Sequence, residues 1–142
     1  MASTTKMWVK DPHSGGVKIP DRIKEKIKDR IECYANTNYA GKFTRIDVRF
    51  RGYFCYIDAY QEPFVPEDFD PALFNETRED RIERLRNAPI KLCRLRYKGD
   101  ENNWTLDFYS YSHDKYQPSV FTHGGFYGTP EQALQSAAMF LE

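Results

Sequence analysis

Two pairs of short alternating runs constrain this chain more than any other feature. In Thr44–Phe50, Ile46, Val48 and Phe50 alternate with Arg45, Asp47 and Arg49, and a second run, Tyr53–Tyr60, begins after only Arg51-Gly52. A period of two is the mark of a half-buried strand, and so short a separation leaves room only for a tight hairpin. Placing Arg51-Gly52 in the turn, with glycine supplying a positive φ, sets Phe50 opposite Tyr53, Val48 opposite Cys55 and Ile46 opposite Ile57. The other face then pairs Arg49 with Phe54, Asp47 with Tyr56 and Arg45 with Asp58.

A second hairpin follows the same logic. Cys93, Leu95 and Tyr97 alternate with Arg94 and Arg96, then Trp104, Leu106 and Phe108 alternate with Thr105, Asp107 and Tyr109, across the turn-rich Lys-Gly-Asp-Glu-Asn-Asn. With Tyr97 facing Trp104, Arg94 faces Asp107. A short fifth strand is expected over Ser119–Thr122.

Helices flank these hairpins. Pro20 and Asp21 open the first, whose Ile19, Ile23, Ile27, Ile31 and Tyr34 recur every three or four residues, and turn formers end it near residues 36–38. The last begins with Thr129 as N-cap, Pro130 at the first position and Gln132 completing a capping box. A short helix is predicted from about Glu76 to Asn87, stopped by Pro89, while the three prolines of residues 61–75 exclude a regular helix or central strand there. The expected fold is α+β: a two-layer sandwich with a four- or five-stranded antiparallel sheet, the N- and C-terminal helices on one face, and the short helix in the connection between the hairpins. Residues 1–18, rich in Ser, Thr, Gly and Lys, read as a flexible lead-in to a single domain over 19–142.

Charge excludes a globally basic nucleic-acid binder, because 21 basic and 21 acidic residues cancel. Locally they do not: residues 1–60 carry 12 basic and 7 acidic groups, a net +5, and residues 61–89 carry 4 and 8, a net −4. Three widely spaced cysteines fit neither a disulfide framework nor a paired-cysteine zinc site. With no signal-peptide-like apolar run and no stretch long enough to span a membrane, the expectation is a cytoplasmic protein with no membrane partner.

The face opposite the helices is the first candidate site. It gathers Arg45, Arg49, Phe54, Tyr56, Tyr60, Arg94, Arg96, Tyr109 and Tyr111, with Asp47, Asp58 and Asp107 among them. Aromatic and arginine side chains of this kind are enriched in protein interfaces, and a homodimer formed through the sheet would bury them. The alternative is a platform for single-stranded nucleic acid, disfavoured because two of the aspartates face arginines. The acidic connection is the second candidate, an arm whose Phe64, Phe69 and Phe74, with Val65 and Leu73, grip a partner or cap the domain's own core. A third reading places a small enzyme site around His113, Asp114 and His123. No nucleophile motif, phosphate loop or ligand spacing accompanies these residues, so neither a catalytic group, a cofactor nor a metal is expected. The reading that follows is a non-enzymatic protein-interaction module that self-associates.

Overall fold

A computed structural model of the chain describes residues 11–142. The two hairpins and an edge strand form one five-stranded antiparallel sheet in sequential order: β1 (Arg45–Arg51), β2 (Phe54–Tyr60), β3 (Ile90–Tyr97), β4 (Trp104–Ser110) and β5 (Lys115–Ser119). Helix α1 (Asp21–Asn38) lies before the sheet in sequence. The connection after β2 holds α2 (Pro71–Phe74) and α3 (Arg78–Arg86), and α4 (Pro130–Ala137) leads into a final 3-10 turn, Ala138–Leu141.

The isoleucine stripe of α1 is buried as its spacing requires: Ile23, Ile27 and Ile31 join Cys55, Ile57, Leu95, Trp104 and Leu106 from one face of the sheet. Helix α4 contributes Ala133, Leu134 and Ala137 to the same core. Two layers result, with α1 and α4 packed on one side of the sheet. The helices are also clamped to each other, since Arg30 on α1 donates from Nε and Nη2 to both oxygens of Glu131 on α4, at 2.9 and 2.7 Å. The predicted capping box is present: Thr129 Oγ1 accepts from the Gln132 amide and Gln132 Oε1 accepts from that of Thr129.

Three local expectations are corrected, and one irregularity is new. The first hairpin turns at Gly52-Tyr53 rather than Arg51-Gly52, so Arg51 pairs with Phe54 and every cross-strand partner moves by two. Glycine belongs at the first of the two loop positions, where Gly52 has φ 63°, the requirement of a II′-type turn. A two-residue shift leaves the faces unchanged, which is why the core assignment survives. The fifth strand is Lys115–Ser119, not Ser119–Thr122, and Pro118 is tolerated because β5 is an edge. The proline-rich connection does contain one helical turn, α2, with Pro71 at its first position and Asp70 Oδ1 accepting from the Ala72 amide. Finally, the pairing of β2 with β3 slips between Ile57 and Asp58: Ile57 faces Cys93 but Asp58 faces Lys91, leaving Leu92 as an extra, buried residue.

That bulge decides one side chain. Strict alternation from Cys93, Leu95 and Tyr97 would send Lys91 into the core, whereas the inserted Leu92 turns it to the outer face.

Of the lead-in expected over residues 1–18, the first ten lie outside the described residues. Residues 13–17 run as a strap across one end of the sheet. His13 Nε2 lies 3.0 Å from the Ser119 carbonyl oxygen at the end of β5, Gly15 O accepts from Arg96 Nη1 at 2.6 Å, and the Val17 amide donates to Tyr97 O at 2.9 Å. Ile19 then donates to Gly52 O in the first hairpin turn before α1 begins.

Candidate functional site

The outer face is ordered in rows set by the strand registers. Arg51, Phe54, Arg96 and Thr105 form the row nearest the strap. Arg49, Tyr56, Arg94 and Asp107 form the next, and Asp47, Asp58, Lys91, Tyr109 and Tyr116 the one beyond. Arg45 and Tyr60 pair at the far end, with the guanidinium 4.1 Å from the ring centroid. Tyr111 lies past the end of β4 and is exposed, and it meets the face through an edge contact with Tyr109.

Much of this face is spent on itself. Arg94 Nε and Nη2 both lie 2.8 Å from Asp107 Oδ2, as the sequence pairing predicted, and Asp107 is fully buried. Arg96 is buried under the strap, not presented to solvent. The aromatic rings are capped by cations: Arg94 sits over Phe54 at 3.9 Å and over Tyr116 at 4.9 Å, Arg96 over Phe54 and Tyr53, and Lys91 Nζ lies 3.7 Å from the Tyr109 centroid. A track for stacking successive bases needs open ring faces, and these are occupied.

Between β1 and β3 the lattice opens into a depression of about 670 Å³ lined by Arg49, Phe50, Arg51, Tyr56, Lys91 and Tyr116. Arg49 is fixed there by two carboxylates, Nε 3.3 Å from Asp47 Oδ2 and Nη2 2.9 Å from Asp58 Oδ2, and its guanidinium lies over Tyr56 at 5.1 Å. Burial raises the Asp58 carboxyl above the ordinary aspartate value, partly opposed by Arg49. Burial, and then the Asp58 charge, also push the Tyr116 hydroxyl upward. Among the described residues, Asp58 Oδ1, Asp107 Oδ1, Thr105 Oγ1 and Arg96 Nε are buried on this face without a hydrogen-bond partner. Sequence reasoning missed both Lys91 and Tyr116 as parts of the site. The Leu92-Cys93 doublet, two consecutive apolar residues in an alternating run, was the available signal for the first.

The arm, residues 61–89, has a small core of its own. Phe69 and Phe74 stack with centroids 5.1 Å apart, and Arg81 lies against both rings. All four arm arginines are engaged within it. Arg78 donates to the Val65 and Pro66 carbonyls, Arg81 and Arg84 reach Glu76, and Arg86 reaches Glu62 and Glu83. Among the described residues no cation lies within ion-pair distance of Glu67, Asp68, Glu79 or Asp80, so the arm presents acid. It also presents hydrocarbon. Val65 is buried, but Phe64 is 85% exposed and Leu73 74%, with Phe74 half exposed.

The third candidate does not assemble. His113 bonds to Ser110 and Ser112 in the turn before β5, and Asp114 accepts from the Tyr109 hydroxyl. His123, stacked on Phe121, follows the other end of that strand. Among the described residues no three His, Cys, Asp or Glu side chains come together as a ligand set, and no helix is long and apolar enough to cross a membrane.

Fold and site together define an α+β domain with a self-capped sheet face, one cationic depression and a projecting acidic arm. The chain matches no family model, no curated protein and no solved structure.

Proposed function

We propose that this protein is a non-enzymatic interaction module that self-associates through its acidic arm. The observation that carries the reading is the exposure of Phe64 and Leu73 on a segment whose own arginines are all engaged. Large apolar side chains held out on a folded segment, beside unpaired acid, are the composition of a docking element.

A second copy of the chain has the complementary surface. Residues 1–60 are net basic, and among the described residues Lys28, Lys42 and Arg22 have no carboxylate within ion-pair distance. On the solvent side of α1 an apolar-walled groove of about 390 Å³ is lined by Asp29, Arg30, Cys33, Tyr34, Thr37 and Asn38, with Glu131 of α4, so it takes the arm's hydrocarbon while the unpaired cations of residues 1–60 take its acid. Reciprocal seating of each arm on the other copy's α1 closes a two-fold dimer, the commonest oligomeric arrangement. The sheet face is the poorer interface, because most of its rings and all three of its aspartates are already matched within one copy.

Equilibrium sedimentation at tens of micromolar tests this. The expected result is a dimer that weakens as salt rises and that Phe64→Ser with Leu73→Ser loosens by at least about tenfold, since burying each such side chain contributes about 1.5–3 kcal/mol. A strict monomer, or a dimer indifferent to both substitutions, overturns the proposal.

A further inference from the structure

The depression beside Arg49 is a separate feature from the arm, and its chemistry is specific. Its volume of about 670 Å³ falls within the range of small-molecule sites. Two of its cations make no ion pair. Among the described residues Arg51 and Lys91 have no carboxylate within ion-pair distance, and the only carboxylates near the rim, Asp47 and Asp58, are both held by Arg49. The cations are also placed by the backbone. Lys91 is there because Leu92 bulges, and Arg51 because the hairpin turns one residue later than its sequence first suggests. Between them the Arg49 guanidinium, resting on Tyr56 and with its side chain 53% exposed, offers a flat delocalised surface. Planar rings stack on such guanidinium planes, and oxyanions are bound by charge-assisted bonds from Arg and Lys.

We propose that this depression binds a small ligand that joins a planar ring to an oxyanion, of which a nucleoside monophosphate is the simplest biological form. The ring lies on the Arg49–Tyr56 pair and the oxyanion against one of the two cations that flank it, Arg51 or Lys91. One nucleotide unit fits the depression, and the capped rings beyond it leave no track for a longer strand. The same unit is found as a free nucleotide or as the phosphorylated end of a strand, and the test separates these sources.

Calorimetric titrations with AMP, adenosine, inorganic phosphate and a 5′-phosphorylated tetranucleotide decide the matter. They are run on the arm variant Phe64→Ser/Leu73→Ser, so that self-association neither masks nor mimics binding. AMP is expected to bind saturably and more tightly than adenosine or phosphate alone. Arg51→Ala or Lys91→Met, whichever cation holds the oxyanion, should weaken it about tenfold, the effect of losing one hydrogen bond to a charged group. Thermal melts confirm that each variant is folded, and Lys91→Met keeps the side chain's apolar stem. Tighter binding of AMP than of the tetranucleotide assigns the site to a free nucleotide, and the reverse assigns it to a strand end. No saturable AMP binding up to about a millimolar overturns the proposal, as does binding indifferent to both substitutions or phosphate binding as tightly as AMP.

Discussion

Asp47 and Asp58 stand directly opposite each other on β1 and β2, and the single guanidinium of Arg49 reaches both. Facing like charges destabilise a strand pair, so Arg49 is what makes this register tolerable.

Removing Arg49 therefore leaves a buried carboxylate without its cation. Arg49→Ala is expected to cost about 2 kcal/mol in urea unfolding, while Asp58→Asn costs less than about 1 kcal/mol because it also removes the repulsion. The pH dependence has a definite sign. Burial holds the Asp58 value in the folded protein above that of the unfolded chain. Its contribution to stability is thus fully present below the ordinary aspartate value and is lost as pH rises through the raised folded value. Asp58→Asn removes that downward slope from a series of urea melts. A variant in which the slope persists unchanged contradicts the assignment.

The strap makes a second expectation. A Cβ on Gly16, whose φ is 138°, would lie 2.6 Å from Tyr53 Cγ, whereas one on Gly15, φ 68°, meets nothing within 4 Å. Both substitutions by alanine strain the backbone by about 1 kcal/mol, and only Gly16→Ala adds a clash with a ring that packs tilted against Phe54. Gly16→Ala should lower stability about twice as much as Gly15→Ala, and the difference should shrink in Tyr53→Ala.

Thiol labelling supplies a third. Cys33 is exposed and Cys55 and Cys93 are buried, with burial pushing both inner thiols far up. Native protein should react promptly at one site and at the other two only after unfolding. Cys33 also lines the groove on α1, so its labelling should slow at concentrations where the arm docks and not in Phe64→Ser/Leu73→Ser.

The alternating runs made the sheet and its inner face readable, because a period of two fixes which residues share a side whatever the register. Register itself was not readable from that period. It depended on which turn position Gly52 takes, and a two-residue slip moved Asp58 from opposite Arg45 to opposite Asp47. The fifth strand was misplaced because Lys115-Tyr-Gln-Pro-Ser carries a proline and no apolar alternation, and owes its strand form to pairing with β4. The arm's exposed phenylalanine was visible as composition, but that Phe64 stays outside while Phe69 and Phe74 pair with Arg81 is a matter of tertiary packing.

Leu92 acts as a parity switch. One residue inserted between paired positions inverts inside and outside for everything before it in the strand, placing Lys91 over the rings and Ile90 against the inner layer. Deleting Leu92 would shorten the strand by a single residue yet exchange those two side chains, turning a lysine inward and an isoleucine out. A length change at this position is therefore a change of surface chemistry, and a comparison of related chains should treat a gap there as an alteration of the site rather than as loop variation.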